Sequence, residues 1–167
     1  GEPRYEDHPV NWEPAKGWFG PFDVRQAAYW SLLSGAAGHT YGDHNIWQMW
    51  HPGREPISSA RTPWPQALEH PGSWQMGLVR RLFESRPFLS LEPDSSVLVD
   101  RVEGGAGHQV AARAGDGSTL IAYTPLGLPL SVRLDRIADS RAVAYWFDPR
   151  SGEVTSIGAM PAEGVQR

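Results

Sequence analysis

The sequence predicts a chain of two structural classes, with α/β structure in the first half and an antiparallel all-β unit in the second. Seven of the eight tryptophans and five of the six histidines lie before residue 86. Residues 1–85 show helical spacing of apolar residues between polar and aromatic loops, whereas residues 95–160 contain short apolar runs separated by turn residues. The composition therefore changes where the predicted structural class changes.

The first predicted helix covers residues 23–35. Asp23 and Gln26 have capping-box spacing, since the aspartate can accept from backbone N–H groups and the glutamine can reach back to the helix start. Apolar residues lie on most sides of this helix, which indicates packing against more than one neighbour. Gly35 is suited to end it. Residues 38–42 then form a short predicted strand that closes at a glycine.

A loop and a second helical region follow. Residues 51–63 carry three prolines and one glycine among polar residues, which is typical of a loop. Residues 64–84 are predicted to be helical with a break at residues 70–72, and Arg86-Pro87 ends the region. One face of this region carries four apolar residues at helical spacing: Met76, Val79, Leu82 and Phe83.

The second half contains a series of predicted strands at intervals of about ten residues, which favours an antiparallel sandwich or barrel. They cover residues 97–99, 110–113, 119–123, 130–134, 143–147 and 154–157. The segment from Asp148 to Gly152 predicts a hairpin between the last two, because aspartate, proline and glycine favour tight turns. Residues 104–107 are glycine-rich and are predicted to form a flexible loop.

Bulk composition argues against several classes of function. The net charge is −4, the isoelectric point is about 5.8 and the arginines are scattered, so no electrostatic surface for nucleic acid or an anionic membrane is indicated. No apolar run approaches the roughly 18–20 residues of a spanning helix. The absence of cysteine excludes disulfides and thiolate zinc sites. We therefore predict no nucleic-acid partner, no membrane partner and no cofactor.

Five segments resemble a known enzyme family along nearly the whole chain. They read GEPRYE, DVRQAAYWSLLSGAAGHTYG, NIWQMW, ESRPFL and AYWFDPRSGEVTSIG. They are similar to the C-terminal third of the apiosidase-like glycoside hydrolases, whose appended β domain is named for collagen binding. The resemblance implies the C-terminal portion of a (β/α)8 barrel in residues 1–88, from the end of strand 7 to helix 8. It implies a small antiparallel β-sandwich domain in residues 89–167.

The resemblance also implies an active site at the start of the chain. Active sites of such barrels lie on the loops at the C-terminal ends of the strands, and residues 1–6 correspond to the exit of the seventh strand. Retaining glycosidases use two carboxyl groups about 5 Å apart, one as nucleophile and one as acid/base. By similarity Glu2 is the expected nucleophile, with the acid/base supplied by an earlier strand. Because two strands cannot close a barrel, the chain is expected to be a fragment that is inactive alone.

Further residues near the two strand ends are expected to contact substrate, because a sugar presents C–H faces and hydroxyl edges that suit aromatic rings beside polar groups. These candidates are Arg4, Tyr5, Glu6, His39, Tyr41, Asp43, His44 and Trp47. Simpler interpretations stay open: solvated carboxylates at Glu2 and Glu6, a surface ion pair at Arg4, a buried structural histidine at His39, and core packing for Trp47 and Trp50.

A metal site is an alternative interpretation of the histidines in the first half. Imidazole is a common metal ligand, and His39, His44 and His51 lie near one another in the sequence. Their spacing matches neither a helix face nor a zinc finger, so we predict no metal site.

The expected partners are an oligo- or polysaccharide substrate of plant type and the missing N-terminal barrel segment. A secreted or periplasmic location fits such a role. The rival hypothesis is a non-catalytic glycan- or protein-binding module that acts through the β domain. Strand alternation places Tyr145 and Phe147 on one face and Trp146 on the other, so one of these faces is expected to serve the core.

Overall fold

The computed structural model describes residues 3–167 and contains three α-helices and eight β-strands in that range. The helices are α1 (Pro21–Leu33), α2 (Trp64–Ala67) and α3 (Pro71–Glu84). The strands are β1 (Leu91–Pro93), β2 (Leu98–Val99), β3 (Val110–Ala114), β4 (Leu120–Tyr123), β5 (Ser131–Arg133), β6 (Arg141–Phe147), β7 (Val154–Pro161) and β8 (Val165–Gln166). Among these residues no helix is long and apolar enough to cross a membrane.

Helix α1 begins two residues earlier than the sequence pattern predicts. Pro21 occupies the first helical position, where its fixed φ is suited to a helix start. Asp23 is therefore the third helical residue, and its Oδ2 accepts from the N–H of Gly20 at 2.8 Å. The predicted return of Gln26 to the helix start is wrong, since its Nε2 donates to the carbonyl of Ala106 at 2.8 Å. Gly35 follows the helix end with a φ of +92°, as a helix stop requires.

The predicted strand at residues 38–42 is not a regular strand, but the chain around it pairs with the N-terminal segment. Glu6 and Asp43 form a parallel β-bridge. The N–H of Glu6 donates to the carbonyl of Gly42 and the N–H of His44 donates to the carbonyl of Glu6, both at 2.9 Å. Since α1 connects the two segments, they form the minimal parallel unit of an α/β fold. The pairing is limited to this bridge, so a longer strand is not defined.

Helix α3 begins within the predicted break, at Pro71. Its predicted apolar face is confirmed: Val79 and Phe83 are buried, and Met76 and Leu82 pack against them. The break turns the chain between α2 and α3, so that α3 can pack alongside α1.

The second half forms three small antiparallel sheets, with strand orders β1-β3-β4, β2-β5-β8 and β6-β7. All the predicted strands are present within a few residues. Strands β1 and β8 have no counterpart in the sequence prediction, since neither Leu91–Pro93 nor Val165–Gln166 lies in an apolar run. The hairpin between β6 and β7 is confirmed, with the N–H of Gly152 donating to the carbonyl of Asp148 at 2.8 Å and Gly152 at a φ of +78°.

The two halves share one core. Tyr29 of α1 stacks on Tyr123 of β4 with 4.6 Å between ring centroids. The remaining buried members of this cluster come from α1, α3 and β3: Ala28, Leu33, Val79, Phe83, Val110 and Ala112. The glycine-rich loop also packs on α1 through Gln26, which donates to the carbonyl of Ala106, and His108, which follows the loop, accepts from Trp30 Nε1 at 2.9 Å. The β unit is therefore packed onto the helices.

Candidate functional site

The expected nucleophile, Glu2, lies outside the described residues. Arg4, which follows it, packs against α1: its Nη1 donates to Gln26 Oε1 at 3.0 Å and lies 3.8 Å from Asp23 Oδ1. Its guanidinium also lies over the ring of Phe19, 5.4 Å from the centroid. Arg4 thus contacts the first helix and the loop before it.

Tyr5 packs against the second paired segment at a glycine. A Cβ atom at Gly42 would lie 2.6 Å from the Tyr5 ring, far inside van der Waals contact. The glycine that was predicted to close a strand is therefore required for the close approach of the Tyr5 ring.

Glu6 is a buried carboxylate, with 3% of its surface exposed. Its Oε1 accepts from the N–H of Gly72 at the start of α3 at 3.2 Å, and its Oε2 accepts from the Tyr41 hydroxyl at 2.7 Å. Burial raises the pKa of Tyr41, and the hydrogen bond and charge of Glu6 raise it further, so the phenol stays protonated and donates. The interpretation of Glu6 as a solvated terminal carboxylate is wrong, because both oxygens have partners inside the protein.

Asp43 organises the start of the second loop. Its Oδ1 accepts from the backbone N–H groups of Asn45 at 2.8 Å and Ile46 at 3.1 Å, and its Oδ2 lies 2.6 Å from His70 Nδ1. The side chain has no exposed surface. Since both oxygens are engaged, this geometry suits a positioning role. His70 was missed by sequence reasoning, although the break at residues 70–72 marked its place.

Glu6, Asp43 and His70 each offer one ligand atom within 4.8 Å of the others, a spacing that could hold a metal ion. Their oxygens already accept hydrogen bonds from Gly72, Tyr41 and the residues after Asp43. We therefore assign this cluster to internal structure. The histidines of the alternative metal interpretation do not join it, and His51 Nδ1 instead lies 2.8 Å from the carbonyl of Pro52.

A third buried carboxylate, Asp7, links the two loops. Its oxygens accept from Arg61 Nε at 2.7 Å, Thr62 Oγ1 at 2.8 Å and Asn45 Nδ2 at 3.0 Å. The Arg61 guanidinium lies over the ring of Trp18, 3.8 Å from its centroid. Burial acts to raise the pKa of Asp7, but the hydrogen bonds and the Arg61 charge outweigh it, so the pKa is lowered.

We expect the free energy of unfolding of Asp7→Asn to fall less between pH 7 and pH 3 than that of the wild type. Because the folded pKa lies below the unfolded value, ionised Asp7 stabilises the fold above about pH 4, and this contribution is lost as the pH falls through the folded pKa. Because Arg61 is half exposed, we expect ionised Asp7 to contribute about 1 kcal/mol to the free energy of unfolding at neutral pH. Urea unfolding at pH 7 and pH 3 measures it.

A second variant at the same carboxylate provides the comparison. Thr62→Val removes one hydrogen bond that lowers the pKa of Asp7 without changing charge, so the stability it loses on acidification should lie between the losses of the wild type and of Asp7→Asn. Equal pH dependence in Asp7→Asn and the wild type would contradict the role given to Asp7.

His44 is fully buried and held on both ring nitrogens. Its Nε2 lies 3.1 Å from the carbonyl of Ile57 and 3.0 Å from that of Ser58, so Nε2 carries the proton. Its Nδ1 accepts from Trp47 Nε1 at 3.4 Å. His44 is therefore not free to contact substrate, whereas Trp47 beside it is 50% exposed.

The remaining candidate features are His39 and two cavities. His39 is half-buried, and burial lowers its pKa. A cavity of about 190 Å³ lies where the paired segments end, between Glu6, Asp7, Trp18, Arg61 and His70. A wider cleft of about 510 Å³ lies between α1 and the glycine-rich loop. The described residues thus gather buried carboxylates, aromatic rings and histidines around one edge of the paired segments.

Comparisons with protein families and with solved structures identify similar proteins over nearly the whole chain. Residues 1–90 match the family described as "Apiosidase-like, catalytic domain", and residues 92–167 match the one described as "Putative collagen-binding domain of a collagenase". A solved structure described as a glycoside hydrolase is 33% identical with a TM-score of 0.92, and the match covers 99% of this chain and 37% of that one. A crystal structure of a glycoside hydrolase family 5 protein from Bacteroides vulgatus is 30% identical with a TM-score of 0.90, covering 98% of this chain and 36% of that one.

The chain thus spans a little over a third of the length of these solved glycoside hydrolases. No curated protein matches it. The catalytic-domain match covers more than half of the chain, and this chain belongs to the apiosidase-like family of glycoside hydrolases.

Proposed function

We propose that this chain forms the C-terminal part of a retaining glycoside hydrolase that acts on complex plant-type glycans. Glu2 is the nucleophile, and the acid/base comes from a barrel segment outside these 167 residues. The observation that supports this most directly is the parallel pairing of Glu6 with Asp43 in a chain of this family. Loops that follow parallel strands at one edge are where barrel enzymes bind substrate, and Glu2 precedes that edge by four residues.

The chemistry follows from two carboxyl groups. The Glu2 carboxylate attacks the anomeric carbon while the acid/base protonates the leaving glycosidic oxygen, which gives a glycosyl ester and a free alcohol. The acid/base, now ionised, then takes a proton from water, and the resulting hydroxide displaces Glu2. Two displacements restore the original configuration.

Residues 1–88 would complete the barrel and residues 89–167 would support it. Two features favour support as the main role of the β domain: the Tyr29–Tyr123 stack and the hydrogen bonds from Gln26 and Trp30 to the carbonyls of Ala106 and His108. One observation favours the rival function as a binding module, because Tyr145 and Trp146 are both about half exposed on β6. Binding of a glycan to this chain, if it is lost in Trp146→Ala, would support that rival.

The test follows the anomeric configuration of the first product by proton NMR. A complete enzyme that carries this chain at its C-terminal end should release sugar from plant glycans with retained configuration. This chain alone is the matched control and should release nothing, since it lacks the acid/base. An inverted first product would contradict the retaining mechanism, and inactivity on every plant glycan tested would contradict the substrate class.

A further inference from the structure

The loop after Glu6 and the loop after Asp43 meet through four aromatic rings, which we name the aromatic row: Trp12, His8, His44 and Trp47. The Trp12 and His8 rings lie 4.4 Å apart at 87°, and the His8 and His44 rings lie 4.6 Å apart at 78°. The His44 and Trp47 rings follow at 6.1 Å. The row therefore connects the two loops at the edge that the proposed function assigns to substrate.

The two histidines fix the row and set its hydrogen-bonding character. His44 donates through Nε2 to two carbonyls, as described above, and accepts from Trp47. His8 Nδ1 lies 2.7 Å from the carbonyl of Pro9, so this nitrogen carries the proton. Its Nε2 is then an acceptor, and no residue between 3 and 167 donates to it. Burial and the neighbouring His44 lower the pKa of His8, which favours the neutral ring.

The two ends of the row are in water. Trp12 is 65% exposed and Trp47 is 50% exposed. Trp12 and Asn11 before it have φ angles of +67° and +53°, in the left-handed region that side chains rarely adopt. The backbone thus accepts an unfavourable conformation at a residue whose large apolar ring remains exposed. The edge contact with His8 still leaves most of Trp12 exposed, so packing within the described residues does not account for the position of this ring.

We infer that the aromatic row is a binding platform for an uncharged sugar residue of the substrate, with Trp12 and Trp47 against C–H faces and His8 Nε2 accepting from a hydroxyl. This inference rests on the proposed function for its substrate class. Sugar hydroxyls can donate to a neutral imidazole, whereas the carboxylate of a uronic acid offers only acceptors and would be repelled by the Nε2 lone pair. The four rings carry no formal charge, so a neutral sugar is the complementary ligand.

The first experiment is affinity electrophoresis of the chain in native gels. The probes are three neutral polysaccharides, xyloglucan, arabinan and galactan, with polygalacturonate as the acidic comparison. We expect at least one neutral polysaccharide to retard the wild type more than polygalacturonate does. Trp12→Ala and Trp47→Ala should each weaken this binding about tenfold, and His8→Phe, which keeps a ring and removes the acceptor, should weaken it less.

Trp74→Ala is the matched control, because Trp74 is 50% exposed on α3 and lies outside the row. It should bind like the wild type. The inference is overturned if no neutral polysaccharide retards the wild type, if polygalacturonate retards it most, or if Trp12→Ala and Trp47→Ala bind like Trp74→Ala. Thermal unfolding of each variant checks that lost binding does not reflect lost folding.

Kinetics of the complete enzyme separate this inference from the proposed function. Trp12→Ala should raise KM with kcat within about twofold, since stacking on a sugar face is made equally in the ground state and the transition state. An unchanged KM would overturn the platform while leaving the proposed reaction intact. An inverted product would instead overturn the proposed mechanism, and the binding losses in the gels would still support the platform.

Discussion

Glu2→Gln in a complete enzyme should lose most hydrolysis while it still binds substrate. Glutamine keeps the size of the side chain but carries no negative charge and cannot form the glycosyl ester. We expect kcat to fall by about a thousandfold or more, which corresponds to about 4 kcal/mol of transition-state stabilisation. The dissociation constant for substrate should change only a few-fold, because the platform and the remaining contacts are intact.

Three measurements decide this assignment. Initial rates give kcat, and calorimetry of substrate binding gives affinity. The third is rescue of Glu2→Ala by azide, which can occupy the space of the lost carboxylate and should give a glycosyl azide of inverted configuration. Glu13→Gln is the control, since Glu13 is an exposed partner of Lys16 and should hydrolyse like the wild type. Near-normal turnover in Glu2→Gln would defeat the assignment of the nucleophile.

The elements of the fold were largely accessible from the sequence because they rest on local patterns. The apolar spacing at Val79 and Phe83 predicts the buried face of α3, and the Asp148–Gly152 turn predicts the β6–β7 hairpin. The predicted start of a helix was wrong where a second local sequence signal favoured an earlier start. Pro21 starts α1 ahead of Asp23, since proline suits the first helical position, and Asp23 caps the helix from the third position by accepting from the N–H of Gly20.

The buried polar clusters were less accessible because they join residues far apart in the chain. Asp7 meets Arg61 across 54 positions and Asp43 meets His70 across 27, and no spacing rule connects such pairs. The sequence indicates a site at Asp43, His44 and Trp47 only because these residues follow a predicted strand. The structure separates them by environment: Asp43 and His44 are buried with internal partners, and Trp47 is half exposed.

Gly72 and Gly77 lie five residues apart on α3, and alanine should affect them in opposite directions. A Cβ atom at Gly72 would clash with the Glu6 carboxylate and lie 2.6 Å from Val24 Cγ2. Glu6 would have to leave its hydrogen bonds to Gly72 and Tyr41. Overpacking and two disturbed buried hydrogen bonds together suggest a loss of about 3 kcal/mol. For a domain of this size, that is a fall in Tm of about 6–12 °C.

Gly77→Ala provides the control because a Cβ atom there has no neighbour within 4 Å. Alanine favours helix over glycine, so this variant should gain up to about 1 kcal/mol. Urea and thermal unfolding of both variants measure the difference. If Gly72→Ala is as stable as Gly77→Ala, Glu6 is not held against the start of α3. The buried carboxylate would then no longer link the paired segments to the helix, and the geometry that supports the proposed active-site edge would lose its main contact.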